Sequence, residues 1–551
     1  MEPLFRPEGE LAYRASINYD RMESRRFEPG ATDSEGFGIF EPATYAWPGD
    51  MEGRAILAWI LLQRMTGRPS KWLDMAMNKL GEFSNADGYF GPVASPHLHD
   101  EQQLAGHGWV LRALCEYWLE TKDPATLDRL RTVVEALVLP TAGAHASYPI
   151  DPSLRNINLG SYIGVESEII GEWALSSDIG CVFIFLDGVT QAAIVLEDPR
   201  LAEIVRELIQ RMTEVDIVGV QVQTHAILTG CRAMIRWADH TSDTQLLLRA
   251  NAIFNLYATS AASETHENWN WFGRPTHSEV CAIVDSLMIA CQLWERTRNP
   301  LMLELAQLIY HNGLGHTQRK HGGYGCDTVV GGSGDDPTAL RVLVDEAWWC
   351  CTMRASEGLA SAAHYSVGVD GDGIAIQLPF SGTFRTHEES RTWQIQTDYP
   401  RSGSVKIHLT EGDPIELSLS VFAPAWMALT TVELNGYKVS ATRTLEGFVK
   451  THQSLAVGDF VEFAFDLDIR LVPPTNNATP STYRKVARGP LYYGLEGDAT
   501  GDVQLGDLSW DSESATIHDI ARGLRFTPID DVYRRSLPET YRRQVLFVPR
   551  N

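Results

Sequence analysis

The sequence predicts a mainly α chain with added β structure: an (α/α)6-type helical toroid over residues 1–365, with a short N-terminal extension, then a C-terminal β-sandwich region over 366–551. Three observations lead there. Segments such as RAILAWILLQRMTG, QQLAGHGWVLRALCEYWLET, CVFIFLDGVTQAAIVL, HAILTGCRAMIRWA and CAIVDSLMIACQLWERT set apolar residues three and four apart, the period of a helix with a buried stripe. The joints TGRPS, TKDPA, EDPR and TRNP each combine a helix stop with a Pro or Asp start, so the helices run in hairpins. After about residue 366 the period falls to two, in GIAIQLP, WQIQTD, SVKIHLT, IELSLSVFA, VELNGYKVSA, FVEFAFDLDIRLV and GPLYYGLE, between Gly, Asp, Asn and Pro turns.

A run of roughly ten to twelve helices either stacks as a solenoid or closes into a double ring, and a solenoid returns the same residues at a fixed period. Here only the hairpin rhythm returns, which favours the closed toroid. Its funnel is expected to be lined by AWPGDMEGR, SPHLHDEQQ and SETHENWNWFGRP, loops and helix ends rich in Trp, His and acids. The β region is expected to pack against the toroid, since no aromatic platform for sugar binding stands out in it.

A chain of 551 residues exceeds what one core usually supports, and 44% hydrophobic with 21% charged residues is ordinary for a globular protein. Its 71 acidic against 46 basic residues give a formal net charge of −25, a field that repels nucleic acid and anionic membrane surfaces. No apolar run reaches the roughly 18–20 residues of a membrane span, and MEPLFRPEGELAYRAS has no leader pattern. Eight cysteines are too sparse for a disulfide scaffold. The expectation is a cytoplasmic protein acting on a small molecule or oligosaccharide, with a homodimer allowed as its own partner.

Four candidate metal ligands stand in two tight pairs, Glu279-x-Cys281 in THSEVCAIVDSLMIAC and Cys350-Cys351 in DEAWWCCTMRASEGLA. Three thiols and a carboxylate suit a tetrahedral Zn²⁺-like ion, which would hold the thiols as thiolates, and a thiolate is a nucleophile. Buried core cysteines, a Cys-Cys redox pair and a closed structural zinc site are the competing readings, and spacing alone does not separate them.

Several segments in order along the chain resemble the β-L-arabinofuranosidase group, glycoside hydrolase family 127 and relatives such as family 146. These are WPGDMEGRAILAWILLQRMTG and AGHGWVLRALCEYWLETKDP in the early toroid, HSEVCAIVDSL and WWCCTMRASEGL at the candidate ligands, and AWMALTTVELNG, EGFVKTHQSLAVGDFVEFAFDLDIRL and ARGPLYYGLEGD in the β region.

That resemblance implies a retaining glycosidase with a zinc-held cysteine as nucleophile. The family's Glu and three Cys ligands fall on Glu279, Cys281, Cys350 and Cys351, and its nucleophile on Cys350, the first residue of the vicinal pair. The acid/base falls on Glu267 in SETHENWNWFG, ahead of its neighbour Glu264, in a loop shorter than the family's usual spacing. Asp50, Glu52, His107 and His225 are the candidates for holding sugar hydroxyls, the two histidines competing with an ordinary role as satisfied core residues. His277, one turn before Glu279-x-Cys281, is a candidate for bonding a metal ligand or for capping the helix.

The chain also departs from the family. Thr352-Met353-Arg354 stands where Pro-Pro-Asn often follows the vicinal pair, and 321–338 (HGGYGCDTVVGGSGDDPT) reads as a distinctive loop near the site. Arg354 is expected to pair with Glu357 at i+3. A sugar epimerase or lyase on the same toroid, and a non-catalytic protein with structural zinc, are the alternatives.

Overall fold

The computed structural model describes the chain apart from residues 1–3, 35, 41–46, 96, 158–159, 161–163, 333–335, 371–372, 387–390, 498–500, 539 and 551. Its helices in order are α1 (Gly9–Met22), α2 (Asp50–Thr66), α3 (Leu73–Lys79), α4 (Glu101–Thr121), α5 (Pro124–Val133), α6 (Val182–Leu196) and α7 (Pro199–Glu214), followed by α8 (Thr224–Thr241), α9 (Thr244–Ser260), α10 (Val280–Thr297), α11 (Pro300–Leu308), the short α12 (Gly315–Thr317) and α13 (Cys351–His364). Helices α2, α4, α6, α8, α10 and α13 each pack on the next, and α13 packs back on α2, closing an inner ring. Helices α3, α5, α7, α9 and α11 each pack outside the inner helix that precedes them, and α1 lies over α2 and α13. The double ring read from the hairpin rhythm is therefore present.

Three of the four joints work as their residues predict, whereas after TGRPS α3 starts at Leu73 with no side-chain cap. Asp123, Asp198 and Asn299 cap α5, α7 and α11, with Pro124, Pro199 and Pro300 at the first helical position. Each preceding helix ends on a left-handed residue, Lys122, Glu197 or Arg298, with φ of 55°, 53° and 54°. Replacing Asn299 by alanine leaves the Leu301 N–H without its side-chain acceptor. The expected cost is about 1 kcal/mol, read as a lower urea midpoint.

Close approach in the ring depends on glycine at one crossing. A Cβ on Gly188 of α6 would lie 2.2 Å from the Gly108 carbonyl oxygen of α4, so neither helix tolerates a side chain there. Charges inside the ring are paired, as burial demands. Arg112 bonds Asp187 at 2.5 Å and Glu357 at 2.9 Å, while Arg232 bonds Asp285 at 2.9 Å and Glu357 at 3.1 Å. The Arg354–Glu357 pair expected from the sequence is formed, and Arg354 also reaches Asp285.

The β region holds two units. The first is a sandwich of a seven-stranded and a five-stranded sheet built mainly from 367–466, in which Val405, Ile407 and Leu409 alternate inward. The Asn435–Gly436 turn joins paired strands at Leu434 and Tyr437, both turn residues having positive φ, as a two-residue hairpin requires. The second unit is a separate sheet over 469–549 with its own core of Val486, Tyr493, Phe526 and Phe547.

The N-terminal segment, expected to be a short extension, ties the parts together. Leu4–Pro7 pairs with Gly382–Arg385 of the sandwich before α1 enters the outer ring. No helix among the described residues is long and apolar enough to cross a membrane.

Candidate metal centre

All the inner helices begin on the same face of the toroid, and the candidate ligands sit at those beginnings. Glu279 is the residue before α10 and Cys281 its second residue; Cys350 is the residue before α13 and Cys351 its first. A helix N-terminus presents free N–H groups and the positive end of the peptide dipoles, which favours thiolates and carboxylates there. Pairs separated by about seventy residues are thus brought together by ring closure.

The sulfurs of Cys281, Cys350 and Cys351 all lie within 4.8 Å of one another, and an overlapping group of His225, Glu279 and Cys281 meets the same limit. Cys350 and Cys351 are 3.4 Å apart at sulfur, and all eight cysteines are free thiols. A tetrahedral zinc with Zn–S bonds of about 2.3 Å spaces its sulfurs about 3.8 Å apart, so the set has the right span. Glu279 Oε2 is buried without a hydrogen-bond partner among the described residues, leaving it available as a ligand atom. Thiols, carboxylate and orphaned oxygen together fit a zinc-type ion.

The electrostatics are those of one thiolate in a proton-sharing set. Burial by itself would raise the Cys281 thiol, but hydrogen bonds from Cys350 and Cys351 and the charge of Arg54 bring it well below the usual thiol range. Cys350 and Cys351 are pushed well above it, first because each donates to Cys281. Burial and the Cys281 charge raise Glu279. Cys281 and Cys351 are buried residues, whereas Cys350 is partly exposed.

Arg54, in the first turns of α2, was not among the sequence candidates. Its Nη1 donates to Cys281 Sγ at 3.2 Å, its Nε donates to Asp50 at 2.9 Å, and its Nη2 lies 3.4 Å from His225 Nε2. His225 Nδ1 in turn lies 2.8 Å from Asp285. Two sugar-binding candidates, Asp50 and His225, are therefore joined to the thiol site through one guanidinium, which stacks over Trp109. The signal was present in the sequence as an Asp–Arg pair at i,i+4 opening an otherwise apolar helix.

The other candidates fall into different surroundings. Glu52 is buried, its carboxyl pushed up to about 7 by burial, and accepts from the Phe40 N–H. His107 is fully buried, Nδ1 lying 2.7 Å from the Gln103 carbonyl and Nε2 accepting from the Phe90 N–H, so both ring nitrogens face backbone. His277 packs edge-on to Trp271, and its backbone bridges Thr328.

The two acid/base candidates separate clearly in their contacts. Glu264 accepts from Lys485 Nζ at 2.6 Å and from the Thr475 and Asn476 N–H groups. Glu267 is equally buried, yet neither carboxylate oxygen has a directed hydrogen bond among the described residues. Burial pushes its carboxyl up to about 7. Its loop is tied to the ligands, since the Glu279 N–H donates to Asn268 Oδ1 at 3.0 Å.

The 321–338 segment, of which 333–335 lie outside the described residues, also reaches the centre. Cys326 Sγ is 3.9 Å from Cys351 Sγ, and the next residue, Asp327, belongs to a second buried group with Glu267 and His316. Neither Cys326 nor His316 carried a signal in the sequence, because both sit in Gly-rich stretches without periodicity.

Fold and donor set define the class: a closed helical barrel with a β-sandwich, built around a candidate metal-thiolate centre. Residues 373–467 match the family model described as β-L-arabinofuranosidase, GH127 middle domain. The crystal structure of a GH127 β-L-arabinofuranosidase from Geobacillus stearothermophilus T6 superposes with a TM-score of 0.73 at 14% identity, covering 99% of this chain and 100% of that one. A second solved structure, a GH127 β-arabinofuranosidase, gives 0.66 at 14% identity over 98% and 93% of the two chains. A third, described as a glycoside hydrolase, gives 0.69 at 15% identity over 100% and 98%. A comparison with curated protein sequences gives no match. The chain resembles glycoside hydrolase family 127, by family model in its sandwich and by fold along its length.

Proposed function

We propose that this chain is a retaining glycoside hydrolase of the β-L-arabinofuranosidase type, with Cys350 as nucleophile and Glu267 as acid/base. The observation that carries the reading is the cluster of the Cys281, Cys350 and Cys351 sulfurs at two helix N-termini, with Cys350 the partly exposed residue of the three. The family-model match over residues 373–467 supports β-L-arabinofuranosides or a related sugar as the substrate class.

Glu279, Cys281, Cys350 and Cys351 would hold zinc, which when bound keeps the thiols ionised at neutral pH. The Cys350 thiolate attacks the anomeric carbon and forms a C–S bond as the glycosidic C–O bond breaks. Glu267, protonated near neutral pH, gives its proton to the departing oxygen. In the second half-reaction the Glu267 carboxylate takes a proton from water, which displaces sulfur from the anomeric carbon, and two inversions leave the configuration retained. Asp50 and His225 act here by fixing Arg54 against Cys281, while Glu52 and His107 shape the pocket wall.

The direct test is metal analysis of anaerobically purified protein together with hydrolysis of 4-nitrophenyl β-L-arabinofuranoside. About one zinc per chain is expected, as a single S₃O site requires. Chelation is expected to abolish turnover, and zinc to restore it. Metal-free protein with full activity would overturn the mechanism.

A further inference from the structure

Glu267 Oε1 lies 3.3 Å from His316 Nδ1, and that same nitrogen lies 2.8 Å from Asp327 Oδ2. The Asp327 carboxylate is itself fixed. Arg319 Nη2 donates to its Oδ1 at 2.6 Å, and Arg319 Nη1 donates to the His316 carbonyl at 3.0 Å. His316 Nε2 faces the Tyr541 hydroxyl at 3.3 Å. Glu267, His316 and Asp327 are fully buried, and Arg319 and Tyr541 nearly so. The approach of the His316 helix depends on Gly313, where a Cβ would lie 2.3 Å from the His266 carbonyl oxygen.

Charge counting shows what this geometry does. Arg319 and Asp327 cancel, leaving His316 and Glu267 to balance each other where both are fully buried. A buried carboxylate is costly alone and much less so beside a cation. Resting on the glycosidase reading above, we propose that His316, clamped by Asp327 and Arg319, is a positioning residue for the Glu267 proton. Its imidazolium faces the carboxyl and stabilises the carboxylate left when the proton passes to the leaving oxygen. The same charge keeps that carboxylate available to take a proton from water in the second step.

The groups around the pair agree. Burial would strip the proton from His316, but the Asp327 charge raises its affinity well above that of a free imidazole, with Tyr541 and Glu267 adding to it. Burial and Asp327 raise Glu267, while His316 and Arg319 oppose the rise. Tyr257 of α9 also lies near Glu267, and it stays neutral, its hydroxyl pushed well above the usual range chiefly by burial.

Two measurements test the pairing. In His316→Gln, the loss of the cation is expected to move the basic limb of kcat/KM upward by about 1–3 pH units, because Glu267 then holds its proton more tightly. A purely architectural role would lower the rate at every pH and leave the limb in place, which would overturn the proposal. Independently of activity, ¹⁵N-histidine NMR of the wild-type protein should show one imidazolium persisting above pH 8 and missing from His316→Gln. A neutral His316 ring at pH 7 in an active enzyme would overturn the pairing and spare the glycosidase. An imidazolium in a protein that hydrolyses no furanoside would uphold the pairing and remove the glycosidase.

Discussion

Cys350→Ala is expected to abolish hydrolysis of 4-nitrophenyl β-L-arabinofuranoside, with kcat/KM falling by at least about 10³-fold, since the covalent step has no other route. The variant should fold, because Cys350 stands before the first residue of α13 and is partly exposed. Cys350→Ser is expected to be equally inactive, because an alkoxide is a poorer leaving group than a thiolate in the second step. Cys351→Ser is expected to act differently, losing metal first and activity as a consequence. Steady-state rates beside metal content separate the two. Near-normal turnover in Cys350→Ser would remove the nucleophile assignment and favour an enzyme that does not need the thiols.

The second large effect is at Glu267. With a poor leaving group, Glu267→Ala is expected to lose about 10²–10⁴-fold in kcat/KM. With 4-nitrophenol as leaving group, little protonation is needed. The first step then survives, a covalent adduct accumulates on Cys350, and azide restores turnover by replacing water. Mass spectrometry of the adduct and the azide dependence of the rate are the readouts. Glu264→Ala should show no such rescue. It strands the fully buried Lys485 ammonium, an error of about 3–5 kcal/mol in folding rather than a defect in chemistry. Azide rescue of Glu264→Ala but not of Glu267→Ala would transfer the acid/base role.

The pH dependence follows from the same group. The Glu267 carboxyl is pushed up to about 7, so glycosylation by the protonated acid should decline above neutrality, while water activation by the carboxylate should decline below it.

The sequence by itself determined the toroid and the period switch into β structure, because both are local: the stripe of α7, the Asp–Pro joints and the Asn435–Gly436 hairpin are set by neighbours a few residues apart. It also picked out Glu279, Cys281, Cys350 and Cys351, since a vicinal thiol pair and a Glu-x-Cys are rare enough to stand out. It did not show α1 and α13 as members of the ring. The run of α13 holds Thr352, Arg354, Ser356 and Glu357, polar residues that belong inside because Asp285, Arg112 and Arg232 meet Arg354 and Glu357, while Thr352 bonds Glu346 and Ser356 bonds Asn18.

Which acid is taken up by Lys485 was likewise a tertiary decision. Glu264 and Glu267 are three residues apart in the same loop, and only the arrival of Lys485 from a strand more than two hundred residues later consumes the first. Arg54, Cys326, His316 and Asp327 became neighbours of the centre by the same route. A ring of helices brings its N-termini to one face whatever their separation in sequence, and burial there turns ordinary side chains into partners that must balance one another's charge.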